Sequence, residues 1–297
     1  MTTPIANTTA LDERQRGLLA AWLPNAVVVR DHSWGYDQTT VLEVATTDGG
    51  RFIVKAAGPA DVKIGREIHA HQHWAHPWTS TGRAPVAVRH DADANLLLTR
   101  YLPGDLVLGT RHETDPDVYQ QAGELLAVFH AQCALVDDQW EAAENARSLA
   151  RLDRSHRLPA DTVARLRDVV GSFETPPVTI VPTHGDWQPR NWLTDDGVVK
   201  VIDFGRAALR PAWTDLVRLA VKNFPGHREL ETAFLDGYGR DPRDPDAWFR
   251  TLVREAIGTA VWGYEIGDES FERLGHRMVD DVLDEADQAD QASMGRR

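Results

Sequence analysis

Short apolar runs separated by polar turn residues dominate the first hundred residues of the chain. Four of these runs have the length and composition of strands, and they cover residues 26–30, 38–45, 51–57 and 95–101. Between the third and fourth runs, Ile64, Ile68 and Trp74 recur at near-helical spacing, which predicts a helix over residues 64–74. Another helix is predicted over residues 11–23, where Pro24 ends it. This part of the chain is therefore predicted to form a sheet with accompanying helices.

Helical spacing replaces the strand pattern after the turn residues Pro103 and Gly104. Apolar residues at steps of three and four predict an amphipathic helix over residues 119–134. Further helical patterns cover residues 141–173, 213–219 and 256–266, and another helix begins after Gly267. The chain is therefore predicted to be α+β.

Three short apolar runs interrupt the helical part, at residues 179–181, 191–194 and 198–202. Asp186 lies shortly after the first run, Asn191 begins the second, and Asp203 directly follows the third. Gly185 and Pro189 break regular structure between the first two runs. We therefore expect the three polar side chains to converge at the ends of neighbouring short strands.

The spacing of these residues is that of the kinase motif His-x-Asp-x-x-x-x-Asn, which runs here from His184 to Asn191. Phosphoryl transfer depends on aligning the acceptor hydroxyl and neutralising charge on the transferring oxygens. In this motif Asp186 has the position of the base that accepts the hydroxyl proton. The amide oxygen of Asn191 and the carboxylate of Asp203 suit Mg²⁺, which prefers hard oxygen ligands. A single Asp more often caps a turn, but the combination favours a kinase.

These residues resemble the aminoglycoside phosphotransferase and choline kinase-like family, which is related to the protein kinases. Members of this family have His-Gly-Asp in the catalytic loop, where protein kinases usually have His-Arg-Asp. The resemblance covers most of the chain, and its C-terminal core is the specific part. It implies a two-lobed protein kinase-like fold. Residues 1–100 would form a small nucleotide-binding lobe with an antiparallel sheet plus a helix, residues 101–104 a hinge, and residues 105–297 a larger, mainly helical catalytic and acceptor-binding lobe. The implied cofactors are ATP or GTP and Mg²⁺, and the implied acceptor is a small-molecule hydroxyl.

The same family pattern requires a lysine on a strand and a glutamate on the following helix. Lys55 ends the apolar run 51–57 and is the candidate for holding the α- and β-phosphates. Glu67, on the predicted helix, is the candidate for its ion-pair partner. The alternatives are a solvated edge lysine and a surface glutamate near Arg66.

Nucleotide contacts are also expected at two backbone segments. The loop around Ser33 and Gly35 would cover the phosphates, although its single glycine leaves an ordinary β-turn equally open. Backbone groups from Arg100 to Leu102 would meet the nucleotide base at the hinge. Since side chains carry little information there, the sequence does not distinguish ATP from GTP.

A protein kinase is the first rival interpretation. Protein kinases need a long activation segment closed by Ala-Pro-Glu, whereas here a helix pattern begins at Trp213 and no Ala-Pro-Glu occurs. Protein kinases also usually have a lysine two residues after the base, where this chain has Gln188. Gln188 would donate a hydrogen bond to the transferring phosphate but carries no charge.

The acceptor is expected to contact the C-terminal helices. Trp262, Glu265 and Asp268 combine aromatic surface with carboxylates, which suits a polyhydroxylated or amino-bearing ring. Trp187, next to the predicted base, is a further candidate. The structural alternatives are core packing for the aromatic residues and helix capping for Asp268.

Composition adds further expectations. The chain has 297 residues, and its single cysteine, Cys133, forms no intramolecular disulfide, which fits a reducing compartment. No apolar run reaches membrane-spanning length and the N-terminal residues lack a secretion-signal pattern, so a cytoplasmic location is expected. The net charge of −13 opposes nucleic-acid binding. It fits a cationic acceptor, although acidity also serves solubility alone.

The functional prediction is a kinase that transfers the γ-phosphate of a nucleotide to a hydroxyl of an aminoglycoside or related antibiotic. An amino alcohol, a sugar or another metabolite is the alternative acceptor. A nucleotide-binding pseudokinase that regulates a partner is the alternative from another class. The retained base position argues against it, because a pure binder does not need that carboxylate. The sequence leaves the oligomeric state unknown.

Overall fold

The computed structural model describes residues 3–33 and 39–294. In chain order its strands are β1 (Thr3–Pro4), β2 (Val27–Asp31), β3 (Thr40–Ala45), β4 (Arg51–Ala56), β5 (Ala87–Asp91), β6 (Leu96–Arg100), β7 (Asp105–Leu106), β8 (Leu135–Asp137), β9 (Val178–Thr183), β10 (Trp192–Asp195), β11 (Val198–Val201) and β12 (Ala208–Arg210). Its helices are α1 (Glu13–Trp22), α2 (Lys63–His73), α3 (His76–Thr79), α4 (Pro116–His130), α5 (Trp140–Arg151), α6 (Ala160–Gly171), α7 (Val217–Lys222), α8 (Arg228–Tyr238), α9 (Pro245–Glu265) and α10 (Glu269–Met294). Among the described residues, none of these helices combines the length and the apolar character needed to cross a membrane.

The N-terminal sheet is antiparallel and has the strand order β1-β2-β3-β4-β6-β5. Successive side chains of a strand point to opposite faces, so neighbouring residues of β4 have different surroundings. Val54 lies in a buried cluster with Leu19 of α1. On β6, Leu97 pairs with Lys55 in register and packs in a separate cluster with Ile64 and Ile68 of α2. The strand period therefore places Lys55 on the sheet face that α2 covers.

Contacts within the chain define two compact units. One comprises residues 1–133, 182–209 and 218–241, and the other comprises residues 134–181, 210–217 and 242–297. The predicted α+β class is confirmed, with an N-terminal antiparallel sheet and helix followed by a mainly helical region. The predicted hinge at residues 101–104 stays a prediction.

In the first unit, α4 and α8 approach so closely that only glycine fits at two positions. A Cβ atom on Gly123 would lie 2.1 Å from the carbonyl oxygen of Phe234. On the partner helix, a Cβ atom on Gly237 would lie 2.0 Å from the carbonyl oxygen of Gln120. Contact between the two helix backbones fixes α4 within this unit.

The second unit is built around α9. A short connection joins α9 to α10, and the two helices pack closely. A Cβ atom on Gly275 of α10 would lie 2.3 Å from the backbone nitrogen of Ala260 of α9. A buried ion pair ties α9 to α5, since Arg254 Nη2 lies 2.5 Å from Oε2 of the fully buried Glu141. In the same unit β8 pairs with β9, where Val136 lies opposite Thr179.

Candidate active site

The loop after β9 carries the predicted base and turns sharply around it. Gly185 has a φ of +78°, a left-handed conformation that glycine adopts without a Cβ clash. His184 is fully buried, and its Nε2 lies 3.1 Å from the carbonyl oxygen of Ile202, next to Asp203. A 3₁₀ turn over Pro189–Asn191 then brings the side chains at 188, 190 and 191 back toward Asp186.

Three side chains of this loop donate hydrogen bonds to the carboxylate of Asp186. Gln188 Nε2 donates to Oδ1 at 2.5 Å. Arg190 donates to Oδ2 from Nε at 3.2 Å and from Nη2 at 2.5 Å, and Asn191 Nδ2 donates to Oδ2 at 2.9 Å. Burial of the carboxyl opposes ionisation, but the guanidinium of Arg190, followed by that of Arg206, outweighs it and lowers the pKa of Asp186. Asp186 is therefore held as a carboxylate, the form a base requires.

The hairpin of β10 and β11 brings the two predicted metal ligands close together. Asn191 immediately precedes β10, and Asp203 follows β11 by one residue. The strands pair antiparallel with Trp192 opposite Val201, and Ile202 N donates to the carbonyl oxygen of Asn191 at 3.0 Å. Both residues are therefore at one end of this hairpin.

The strand that precedes Asp186 does not pair with this hairpin, in contrast to the prediction. It follows β9, which belongs to the sheet of β12, β9 and β8, whereas β10 and β11 pair with β7. The expectation of three neighbouring strands is therefore wrong for Asp186. Convergence depends instead on the side chain of Asn191, whose Nδ2 also donates to the carbonyl oxygen of Asp186 at 2.7 Å.

Lys55 lies between two carboxylates. Its Nζ is 2.8 Å from both Oε1 and Oε2 of Glu67, and 3.0 Å from Oδ1 of Asp203. Burial alone would lower the pKa of Lys55, but the charges of Asp203 and Glu67 outweigh it and raise that pKa. Burial likewise opposes ionisation of Asp203, yet the Lys55 ammonium holds the pKa of Asp203 far below its usual range. The ammonium of Lys55 is therefore a largely buried cation shared by β4, α2 and the segment after β11.

Aromatic rings pack against one another next to the Lys55, Glu67 and Asp203 group. The ring centroid of Phe204 lies 5.0 Å from that of His71 on α2 and 5.5 Å from that of His184. Trp78 stacks on Phe129 of α4 at 4.2 Å. Burial and the nearby charge of Lys55 lower the pKa of His71 to about 4, so this ring is neutral at neutral pH. The helix that carries Glu67 is therefore packed directly against the residue after Asp203.

The predicted nucleotide contacts fall partly outside the described residues. Gly35 lies outside them, whereas the Ser33 hydroxyl accepts a hydrogen bond from Val41 N at 2.9 Å. At the predicted hinge, Arg100 N donates to the carbonyl oxygen of Val86 at 2.8 Å. Among the described residues, Leu102 N makes no backbone hydrogen bond, and its contact with a nucleotide base stays a prediction.

The predicted acceptor residues differ in their surroundings. The ring of Trp187 is fully buried and stacks 5.5 Å from Trp78, so it is a core residue and the expectation of an acceptor contact is corrected. Trp262, by contrast, is 43% exposed. Glu265 Oε2 is ion-paired with Arg154 Nη2 at 2.5 Å.

Asp268 caps the first turn of α10. Its Oδ1 accepts hydrogen bonds from the backbone of Ser270 and Phe271, both at 3.0 Å, and from the Ser270 hydroxyl at 2.7 Å. These bonds lower the pKa of Asp268. Capping accounts for the identity of this residue without an acceptor.

Arg190 and His71 did not stand out in the sequence. The signal for Arg190 is a basic residue four positions after the base, beyond a proline that starts a 3₁₀ turn. The signal for His71 is its position one helical turn after Glu67. Neither pattern is distinctive without the fold.

The site combines a strand lysine, paired with a helix glutamate, with two carboxylates and an amide on two turns. This combination defines a kinase-like phosphotransferase that uses an alcohol group as acceptor. Residues 28–250 match the family described as the Phosphotransferase enzyme family. The chain belongs to this family.

Solved structures of several phosphotransferases share the fold. The apoenzyme of macrolide 2′-phosphotransferase MphH from Brachybacterium faecium is 17% identical, with a TM-score of 0.58 over 90% of this chain and 98% of that one. A thermostable mutant of aminoglycoside phosphotransferase APH(4)-Ia, in a ternary complex with ADP and hygromycin B, is 13% identical, with a TM-score of 0.67 over 90% and 97%. Choline kinase LicA from Streptococcus pneumoniae is 15% identical, with a TM-score of 0.65 over 91% and 97%. No curated protein sequence matches the chain.

Proposed function

We propose that this phosphotransferase transfers the γ-phosphate of ATP or GTP to a hydroxyl of an aminoglycoside or related antibiotic, in the cytoplasm. The single observation that carries the nucleotide part is the position of Lys55 Nζ, 2.8 Å from Glu67 and 3.0 Å from Asp203. Kinase chemistry requires a phosphate-binding cation beside a metal-binding carboxylate, and this geometry supports those two roles for Lys55 and Asp203. The structure of APH(4)-Ia with ADP and hygromycin B supports the use of a nucleotide and an antibiotic acceptor.

Asn191 and Asp203 fit the role of magnesium ligands. The amide nitrogen of Asn191 donates twice to Asp186, which orients the amide, and its oxygen accepts no hydrogen bond from the residues described. The side chain of Asp203 is 47% exposed and accessible to an ion. The described residues contain no cluster of three or more His, Cys, Asp or Glu that could hold a metal, and Mg²⁺ needs none, because one or two protein oxygens plus phosphates suffice. When bound, the ion would neutralise charge on the phosphate oxygens.

In this proposal each residue has a separate task. Lys55 holds the nucleotide phosphates, and Glu67 keeps its ammonium in place. Leu102 N donates to the nucleotide base. Asp186 orients the acceptor hydroxyl and takes its proton as the hydroxyl oxygen bonds to the γ-phosphorus and the bond from that phosphorus to the bridging oxygen of the nucleoside diphosphate breaks. Gln188 keeps one N–H of its amide on Asp186 and has a second for the transferring phosphate.

Exposed Trp262 is the candidate among the predicted residues with free ring surface. The choline kinase fold relative keeps an amino alcohol open as an alternative acceptor. A regulatory pseudokinase is less well supported, because the three donors around Asp186 hold a base that a pure binder does not need.

An acceptor screen tests the proposal. The protein is incubated with Mg-ATP or Mg-GTP and a panel of aminoglycosides, macrolides, amino alcohols and sugars, and release of the nucleoside diphosphate is followed. We expect acceptor-dependent release with at least one cationic antibiotic. Turnover with choline-like amino alcohols alone would shift the substrate class, and nucleotide binding without turnover on the whole panel would favour the pseudokinase.

A further inference from the structure

The carboxylate of Asp186 is largely enclosed by side-chain donors in this structure. Its Oδ2 accepts three N–H groups, two from Arg190 and one from Asn191, and its Oδ1 accepts one from Gln188. A carboxylate offers about four lone-pair sites in total. The Asp186 side chain is only 3% exposed. A base in this state has little capacity to accept a further proton donor.

The three donor residues are not equivalent. Gln188 and Asn191 are buried, at 6% and 4% exposure, whereas the Arg190 side chain is 35% exposed. Asn191 is also fixed by its second hydrogen bond, to the carbonyl oxygen of Asp186. Arg190 carries the longest side chain of the three, with several rotatable bonds. Its length and partial exposure let the Arg190 side chain turn out into solvent when an acceptor arrives, whereas the two amide side chains are buried.

We propose that Arg190 is a positioning residue that caps the base Asp186 until an acceptor displaces it, and thereby suppresses transfer of the γ-phosphate to water. This inference rests on the proposed function, because it assumes that Asp186 is the base of a kinase.

The reaction that the cap suppresses is nucleotide hydrolysis. A water oxygen would bond to the γ-phosphorus while the bond from that phosphorus to the bridging oxygen of ADP breaks, and the base would take a water proton. An acceptor hydroxyl that is held by its own binding contacts can compete with the guanidinium for Oδ2, because its binding energy offsets the loss of the ion pair. A water molecule has no such contacts and leaves the cap in place.

The ion pair arises from local sequence. Pro189 begins the 3₁₀ turn, and Arg190 and Asp186 are four residues apart. The closing bond of the turn runs from Asn191 N to the carbonyl oxygen of Gln188 at 2.9 Å. The turn that aims Asn191 at the metal position therefore also aims Arg190 at the base.

The test measures ADP release from Mg-ATP without any acceptor. Arg190→Gln removes the charged fork, and we expect hydrolysis at least about tenfold faster than in the wild type, because a positioned general base contributes about 10²–10⁴-fold. Arg190→Lys keeps a cation but replaces the planar fork with donors on a single nitrogen, and it should show a smaller increase. Arg190→Gln with Asp186→Asn should lose the increase. Arg228→Gln, which removes an exposed arginine from α8, is the matched control and should hydrolyse like the wild type.

Nucleotide affinity and the unfolding midpoint of each variant show that it is folded. Hydrolysis by folded Arg190→Gln and Arg190→Lys at or below the wild-type rate would overturn the cap, as would an increase that persists without Asp186. A wild type that phosphorylates an acceptor while both Arg190 variants hydrolyse no faster overturns the cap alone. A wild type that binds no Mg-ATP overturns the proposed function and the cap together.

Discussion

Replacing Lys55 by methionine isolates the energetics of the central ion pair. Methionine has similar length and no charge, so the substitution removes the ammonium that lies 2.8 Å from both oxygens of Glu67. Glu67 is 3% exposed as a side chain and is left without its counter-charge. Asp203 is affected less, because its side chain is 47% exposed and water can solvate it.

The cost at pH 7 follows from the protonation of Glu67. Removing one partner of a buried pair costs about 3–5 kcal/mol, because a buried charge is left uncompensated. Glu67 can avoid that state by binding a proton. For a carboxyl with an unfolded pKa of about 4.3, staying protonated at pH 7 costs about 3.7 kcal/mol, at 1.36 kcal/mol per pH unit. We therefore expect Lys55→Met to lose about 3–4 kcal/mol of unfolding free energy at pH 7.

The pH dependence has a definite sign. Burial already raises the pKa of Glu67, and loss of Lys55 raises it further. The native variant then holds a proton that the unfolded chain releases, so stability is greatest below the unfolded pKa and falls as pH rises toward the folded pKa. At pH 5 the same cost is about 1 kcal/mol, so lowering the pH from 7 to 5 should narrow the gap to the wild type by roughly 2–3 kcal/mol.

Urea unfolding of the purified protein at pH 5, 6 and 7 measures these differences. Lys55→Met with Glu67→Gln should remove most of the pH-dependent gap, since the glutamine does not titrate. Arg228→Met, at an exposed position of α8, is the matched control, and we expect a change within about 0.5 kcal/mol. A Lys55→Met variant whose deficit is the same at pH 5 and pH 7 would refute the assignment of the cost to Glu67.

Three further predictions concern packing, the metal and the acceptor. Gly123→Ala should lower the unfolding free energy by about 1–3 kcal/mol or more in urea, because the added Cβ would lie 2.1 Å from a carbonyl oxygen, whereas Gly17→Ala in α1, with no atom within 4 Å, should be neutral or stabilising. Asp203→Asn should weaken Mg²⁺-dependent nucleotide binding in calorimetry, and equal binding with and without Mg²⁺ in both proteins would count against the ligand role. Trp262→Ala should change stability by less than about 1 kcal/mol, since the side chain is 43% exposed, and should raise KM for the acceptor with little effect on KM for ATP; unchanged acceptor KM would remove it from the acceptor site.

Elements with a strong apolar period could be predicted from the sequence. The pattern of residues 64–74 matches α2, Lys63–His73, and the run 51–57 matches β4, Arg51–Ala56. β5 was missed because Arg89 and His90 interrupt its apolar character, and it forms through pairing with β6. The pattern of residues 213–219 lies on two elements, a 3₁₀ helix over Ala212–Leu216 and then α7. Short strands and helix types depend on partners that are distant in sequence.

The candidate site could likewise be predicted from the sequence only in part. Motif spacing selected Asp186, Asn191 and Asp203, and the structure brings the loop and hairpin that carry them together. The motif spacing did not reveal that β9 lies outside the sheet of β10 and β11, because strand order depends on contacts between residues that are distant in sequence. Trp187 was expected at an acceptor because of its neighbour in sequence, yet the ring packs into the aromatic core. The sequence did not show whether the ring of Trp187 faces the core or the acceptor.

Single-turnover phosphoryl transfer by the wild type and by Asp186→Asn, with the affinity for Mg-ATP measured on the same samples, tests the base directly. We expect Asp186→Asn to bind Mg-ATP within about twofold of the wild type and to transfer phosphate to the acceptor about 10²–10⁴-fold more slowly. Transfer at the wild-type rate by folded, nucleotide-bound Asp186→Asn would contradict the role of this carboxylate as the base.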